Sequence, residues 1–178
     1  MREEPLLITD IPIHQDNRGS FYQSYQSSHL MSYDIDCPFI QDNHSISKKN
    51  VIRGLHYQWD KPMGKLVMVC SGSIMDVVVN IKKDSQTFGK SFIFYLSEQN
   101  NHQLWIPPHY AHGFLSLADN THMLYKCTNE YNKSGESGLN PLDKTLNIDW
   151  KIPYHDMIIS DKDINAQTFI EYQIQPKF

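Results

Sequence analysis

The chain is assembled from short apolar runs, rich in Val, Ile, Phe and Tyr, set between turn residues. That texture selects β-structure, because strands of this length need only a few apolar residues while a helix needs them recurring every three to four positions. The runs are 19–25 "GSFYQSY", 50–58 "NVIRGLHYQ", 64–72 "GKLVMVCSG", 73–82 "SIMDVVVNIK", 90–97 "KSFIFYLS", 102–108 "HQLWIPP", 111–118 "AHGFLSLA" and 122–131 "HMLYKCTNEY". The "CSGS" joining two of them is a hairpin signal, since Gly72 tolerates positive φ. Helical pattern is confined to 160–169 "SDKDINAQTF", with Ser160 as N-cap and acids in the first turn, and to one turn in 28–33 "SHLMSY". Residues 132–144, "NKSGESGLNPLDK", read as a loop. Many closely spaced strands with few helices predict a mainly β fold, an antiparallel β-barrel or jelly roll. Every second residue of each strand then faces a common interior.

With 178 residues and no linker or internal repeat, residues 1–178 are expected to form one globular domain. A chain of this length buries enough surface to fold without crosslinks. Cys37, Cys70 and Cys127 are odd in number and lie far apart, with no C-x-x-C pair, which suits a reducing cytoplasm rather than a disulfide framework. The N-terminal residues carry no basic segment followed by an apolar run, and no stretch of about 18 apolar residues occurs, so neither a signal peptide nor a membrane helix is expected. A net charge of −4 argues against nucleic acid as a partner. A small anionic ligand, held by a few local cations, remains open.

Within "VIRGLHYQ", strict alternation puts Ile52, Gly54, His56 and Gln58 on one face and Val51, Arg53, Leu55 and Tyr57 on the other. Gly54 in mid-strand signals a bulge or a close approach of another backbone, and a bulge would change where Arg53 points. His56 alone reads equally as a hydrogen-bonded interior histidine. Lys65 opens an otherwise apolar strand, and His112 follows the proline-ended run "WIPPHYA". Two histidines, a lysine and an arginine spread over strands fit the lining of a polar cavity. Catalytic metal is the competing chemistry. Metal-binding barrels pair two histidines two positions apart, and here that second position is Gln58; His109 and His112 at i, i+3 are weak evidence for zinc. No catalytic metal is therefore expected.

Taken in order, "QDNHSISKKNVIRGLHYQ", "GKLVMVCSGSIMDVVVNIKKDSQTFG", "LSEQNNHQLWIPPHYAHGF", "MLYKCTNEY" and "ISDKD" resemble the dTDP-4-dehydrorhamnose 3,5-epimerase family over residues 8 to 165. Gln58, where related ketoisomerases carry a second histidine, points to the epimerase branch. The resemblance implies a cupin-like β-barrel, a homodimer with exchanged strands, and inversion at carbons 3 and 5 of a nucleotide-linked 4-keto-6-deoxyhexose through an enolate, with no metal or organic cofactor. It implies His56 as base with Asp163 as its carboxylate partner, Tyr125 as the opposite-face proton donor and Lys65 as the enolate's counter-charge, with His112 nearby. Arg18 and Arg53 match diphosphate-binding positions, Gln41, Asn43 and Tyr131 match substrate contacts, and Asp76 a supporting one.

The sequence departs from the family pattern at several positions. Gln23 stands where an acid is common and Ser20 near a usual aromatic, both by the nucleotide base, so UDP- and GDP-sugars stay open beside dTDP-sugars. His109 replaces a usual glycine, while Asn80 and Lys82 stand for Asp and Arg. A mono-epimerase, and a catalytically silent sugar-nucleotide-binding barrel, are the alternative functions.

Overall fold

The computed structural model describes residues 1–178, and its strands form two larger antiparallel sheets and one hairpin. The first sheet contains β1 (Leu6–Ile8), β4 (Gln41–Ser47), β6 (Lys65–Ser71), β9 (Gln103–Ile106) and β11 (Thr121–Cys127), in the order β1-β9-β6-β11-β4. The second contains β5 (Val51–Gln58), β7 (Ser73–Asn80), β8 (Ser91–Ser97), β10 (Tyr110–Ser116) and β12 (Glu136–Gly138), ordered β12-β5-β10-β7-β8. A further strand, β13 (Ile158–Ile159), runs parallel to the start of β5. The sheets face each other as a jelly-roll-like sandwich rather than a closed barrel. The hairpin of β2 (Ile13–Asp16) and β3 (Gly19–Tyr22) pairs with neither sheet. No helix is long and apolar enough to cross a membrane.

The expected runs become strands with shortened ends, and Gly72, at φ +81°, makes the β6–β7 turn. The polar strand β4 has no apolar run, because its less exposed positions are occupied by the half-buried Gln41, Asn43 and Ser45 and the buried Ser47 rather than by hydrocarbon. Of the helix expected over 160–169 only α2 (Asp161–Ile164) forms, and a separate α3 (Phe169–Ile174) begins at its last residue; α1 (Ser27–Met31) precedes both. Between them the chain extends so that Gln167 pairs with Leu139, and Thr168 restarts the helix with a capping box to Glu171.

Three clusters hold the layers. Between the sheets lie Val67, Val69, Ile74, Val78, Leu104 and Phe114, with their neighbours. The outer face of the second sheet presents Leu55, Met75, Val77 and Leu115, covered by Trp150, Phe169 and Tyr172 of the C-terminal segment. Strands β7 and β10 are therefore buried on both faces, which is why "IMDVVV" reads as an unbroken apolar run apart from its one acid. Residues from the α1 region, including Leu30 and Ile35, cover Trp105 on the first sheet. Each such side chain contributes roughly 1.5–3 kcal/mol on burial.

The feature that shapes the interior is a bulge in β5. From His112 to Phe114 strand β10 advances two residues, while the paired β5 runs from His56 to Arg53. The extra residue falls around Gly54, at φ +105°, whose α-carbon lies so close to β10 that a β-carbon would come within 2.5 Å of the His112 carbonyl. A side chain is excluded by both the conformation and the neighbour. We expect Gly54→Ala to lower stability by about 2–4 kcal/mol. An unchanged urea midpoint would show that this close approach is not needed.

Candidate active site

The bulge reverses the parity expected for β5. Ile52 packs in the cluster behind the sheet with Leu55 and Tyr57, on the other face from His56, although it also touches the rim of the cavity that His56 lines. Arg53 and His56, which strict alternation would place on opposite faces, both line one cavity of about 550 Å³ at the end of the sandwich. Lys65, His112, Tyr125 and Asp163 line it with them. Its floor is the end of the inter-sheet core, represented by Phe114 and Met123.

His56 lies one strand in from the sheet edge, opposite Gly138 of β12. Its Nε2 is 2.7 Å from Asp163 Oδ1, and the other Asp163 oxygen accepts the Gly54 N–H at 3.2 Å. The Ser160 side chain, capping α2 as expected, accepts the Asp163 backbone N–H and fixes that residue at the helix start. Burial pushes the Asp163 carboxyl up, but the hydrogen bonds and charge it receives, led by His56, outweigh this and hold it below the ordinary carboxylate value. With Nε2–H donated to a carboxylate, the lone pair of the neutral ring sits on Nδ1.

A second His–Asp pair lies deeper. Asp76 is the one acid of β7, fully buried, and its Oδ2 is 2.8 Å from His112 Nε2. Burial pushes the His112 imidazole below its ordinary value despite Asp76, which keeps it neutral. Lys65 enters no ion pair, and burial lowers its ammonium against the opposing charges of Cys127, Asp76 and Glu136. Tyr125 is pushed up, chiefly by burial, so its phenol holds its proton at neutral pH.

The remaining predicted residues divide sharply. Arg53 is fixed at the cavity by its Nε bond to Ser47 Oγ at 3.1 Å. Gln41, Asn43 and Tyr131 line a small adjoining cavity of about 100 Å³ that also reaches His56, Lys65 and Tyr125. Gln41 donates to Asn43 Oδ1 at 3.0 Å and accepts the Tyr131 backbone N–H at 2.8 Å. Arg18 and Gln23 are not brought to either cavity. Arg18 sits in the turn of the β2–β3 hairpin, its side chain 85% exposed and paired only with Asp16, and Gln23 is exposed just after β3. His109, the residue in a usual glycine position, adopts φ +74°, the backbone region glycine favours.

Three residues at the site went unnoticed in the sequence. Ser45 belongs to the unrecognised strand β4, and its buried Oγ, with no hydrogen-bond partner, borders the larger cavity. Glu136 lay in a stretch read as loop, and Lys162 lay within the predicted helix with no role assigned to it. The "SDKD" and "GES" contexts carried no signal that the two side chains meet, at 2.7 Å.

Residues 4–171 match the sequence pattern of the dTDP-4-dehydrorhamnose 3,5-epimerase family. The chain belongs to that family. The dTDP-4-dehydrorhamnose 3,5-epimerase of Shigella flexneri is 44% identical over 168 residues, covering 93% of this chain and 92% of that protein. The crystal structure of the Elizabethkingia anophelis NUHP1 enzyme of the same name has a TM-score of 0.89 at 39% identity, covering 96% of this chain and 94% of its own. A dTDP-6-deoxy-D-glucose-3,5-epimerase from Legionella pneumophila Philadelphia 1, solved in complex with dTDP-4-keto-L-rhamnose, has a TM-score of 0.88 at 37% identity, covering 94% of each chain. In this epimerase fold the cavity described above is the end of the sandwich where the polar residues of both sheets converge.

The two titratable positions imply a pH dependence of stability. His112 has a folded-state pKa below its ordinary 6.5, so its contribution is complete above that value and is lost as pH falls below it. Asp163, depressed from 3.8, adds a further loss only in stronger acid. The thermal midpoint is expected to drop between about pH 7.5 and about pH 5.5, and His112→Gln to flatten that slope. Equal slopes in both proteins would assign the effect elsewhere.

Proposed function

We propose that the chain epimerises a nucleotide-linked 4-keto-6-deoxyhexose at carbons 3 and 5, with dTDP-4-dehydro-6-deoxyglucose as the substrate the family relationship favours. The observation that carries this reading is the meeting, in one cavity, of a His–Asp pair, a lysine without an ion-pair partner and a protonated tyrosine. A ketone at carbon 4 acidifies the hydrogens on its two neighbours. His56 Nδ1 removes such a proton, and Asp163 stabilises the imidazolium that forms. Lys65 sits where the negative charge on the enolate oxygen develops, with neutral His112 behind it. Tyr125 returns a proton from the opposite face, and the configuration inverts. Nothing in the scheme requires a metal or an organic cofactor.

A positioned base or acid contributes about 10²–10⁴-fold, and an enolate-stabilising donor about 10²–10³-fold. Incubation with dTDP-4-dehydro-6-deoxyglucose in deuterium oxide is expected to place deuterium at both carbons. His56→Asn should remove exchange at both by about 10²–10⁴-fold with the thermal midpoint retained. Tyr125→Phe should let proton removal proceed while inversion falls by a similar factor. Label at one carbon only would make this a mono-epimerase, and absence of label with dTDP-, UDP- and GDP-linked sugars would leave only a binding role.

The diphosphate is read onto Arg53 from this chain and Arg18 from a second copy, in a homodimer that exchanges strands. Support comes from the β2–β3 hairpin, where seven of eight residues are exposed and Phe21 is 68% exposed. An isolated two-stranded hairpin is marginal in water, so a partner's sheet edge is its natural support. Arg18→Ala and His56→Asn, each inactive alone, should regain activity when mixed and refolded together. Failure to complement would place Arg18 in its own chain's site. Three free thiols and the absence of a membrane-crossing helix fit the cytoplasm as the place of work.

A further inference from the structure

The outer face of the first sheet holds a histidine pair that the proton-transfer site does not use. On β11, Met123 and Tyr125 pack toward the inter-sheet core, and His122, Leu124 and Lys126 alternate with them on the opposite face. The β4 register places Asp42, His44 and Ile46 on that same outer face, where His44 is paired with Leu124 and Ile46 with His122. The two histidines are therefore diagonal neighbours on adjacent antiparallel strands. Their rings meet: His44 Nε2 lies 3.1 Å from His122 Nδ1, the ring centroids are 5.1 Å apart, and the planes are tilted by 50°. His44 is exposed and His122 half-buried, so the pair opens to solvent.

Two facing neutral imidazoles share one hydrogen, one nitrogen donating and the other accepting. A metal ion takes the lone pairs of both. With bonds of about 2.0–2.1 Å and an angle of about 90–109° at the ion, the two nitrogens must be about 2.8–3.4 Å apart. The observed 3.1 Å falls inside that range, so an ion can replace the shared hydrogen with only small side-chain rotations. No third imidazole, thiolate or carboxylate joins the pair. Asp42, the acid that shares the outer face of β4, is held by Lys126 Nζ at 3.0 Å. The remaining coordination positions therefore fall to water. Imidazole nitrogen suits Cu(II), Ni(II) and Zn(II), whereas Ca(II) and Mg(II) take oxygen ligands.

The strands give such an ion a structural role. β4 is the last strand of its sheet, so β11 alone holds it in the ladder. Its inward face carries Gln41 and Asn43 to the smaller cavity and Ser45 to the larger, and β11 carries Tyr125 to both. We propose that His44 and His122 form a two-histidine site for a divalent transition-metal ion, which ties the edge strand β4 to β11 from the face opposite the catalytic cavity. The ion is neither a reactant nor a ligand of any proton-transfer residue, and the site stands whether or not the epimerase reading does.

The test is a titration of the untagged, chelator-treated protein with nickel(II) chloride in a non-coordinating buffer, read by calorimetry and by the thermal midpoint. Expected are one ion bound per chain and a midpoint that rises with nickel concentration. His44→Ala and His122→Ala should each weaken binding by more than about tenfold, since even loss of a ligand's outer partner costs about 10–100-fold. Both side chains lie on the sheet surface, so the metal-free midpoints should stay close to that of the parent. Copper(II) at the pair should show two imidazole nitrogens in its paramagnetic resonance spectrum, a signature lost in either variant. His155→Ala, which removes an exposed histidine elsewhere, and Cys70→Ser should bind nickel as the parent does. Binding that survives loss of both His44 and His122, or that is lost with Cys70→Ser, places the ion elsewhere and overturns the proposal. So does the absence of saturable binding up to millimolar nickel.

Discussion

One carboxylate ties the site to the fold. Asp163 accepts the N–H of Gly54, at the bulge of β5, with one oxygen and meets His56 with the other. The outer edge of β5 is covered by β13 at its start and by β12 at its end. Between those two the Gly54 amide would lack a strand partner, and an unpaired buried amide costs about 1–3 kcal/mol. The side chain that meets this backbone need is also the partner of the histidine. Holding the bulge and orienting the imidazole are thus a single interaction, anchored by the Ser160 cap on α2.

The two His–Asp pairs show how environment divides similar chemistry. The His56 side chain is 34% exposed against a partner at 6%, whereas His112 is 6% exposed against a partner at 0%. The outer pair borders the cavities and can exchange protons with what enters them. The inner pair sits on strands buried on both faces, with His112 alone reaching the cavity wall, and burial holds its imidazole neutral. It suits a fixed polar wall rather than a group that cycles. Lys65, on the facing sheet, lines the same cavity, and its Coulomb neighbours include Asp76.

Much of this architecture was legible beforehand for identifiable reasons. Runs such as "LVMVC" and "FIFYL" have few ways to hide their hydrocarbon except in sheets, and Gly72 marks a turn because few residues take its positive φ. Gly54 announced an irregularity for the same reason. What stayed hidden is also physical. Strand β4 has a polar buried side because that side faces the site, so hydrophobic periodicity could not find it. Glu136 and Lys162 lie 26 positions apart, and only the folded chain makes them a pair.

The sequence by itself determined the strand-rich class, the cavity-lining types His56, Lys65, His112 and Tyr125, and a family relationship carried by several motifs in order. Only the tertiary structure decided which way these side chains face. A single extra residue at Gly54, where the sequence already marks a bulge, turns Arg53 and His56 to one side and sends Ile52 to the other, and which face each takes is settled only by the neighbouring strand. Nor could sequence order show that Arg18 lies outside both cavities while Glu136 borders the smaller one. Parity along a strand is local, but a bulge exists because another strand passes within contact distance, and that is a property of the folded whole.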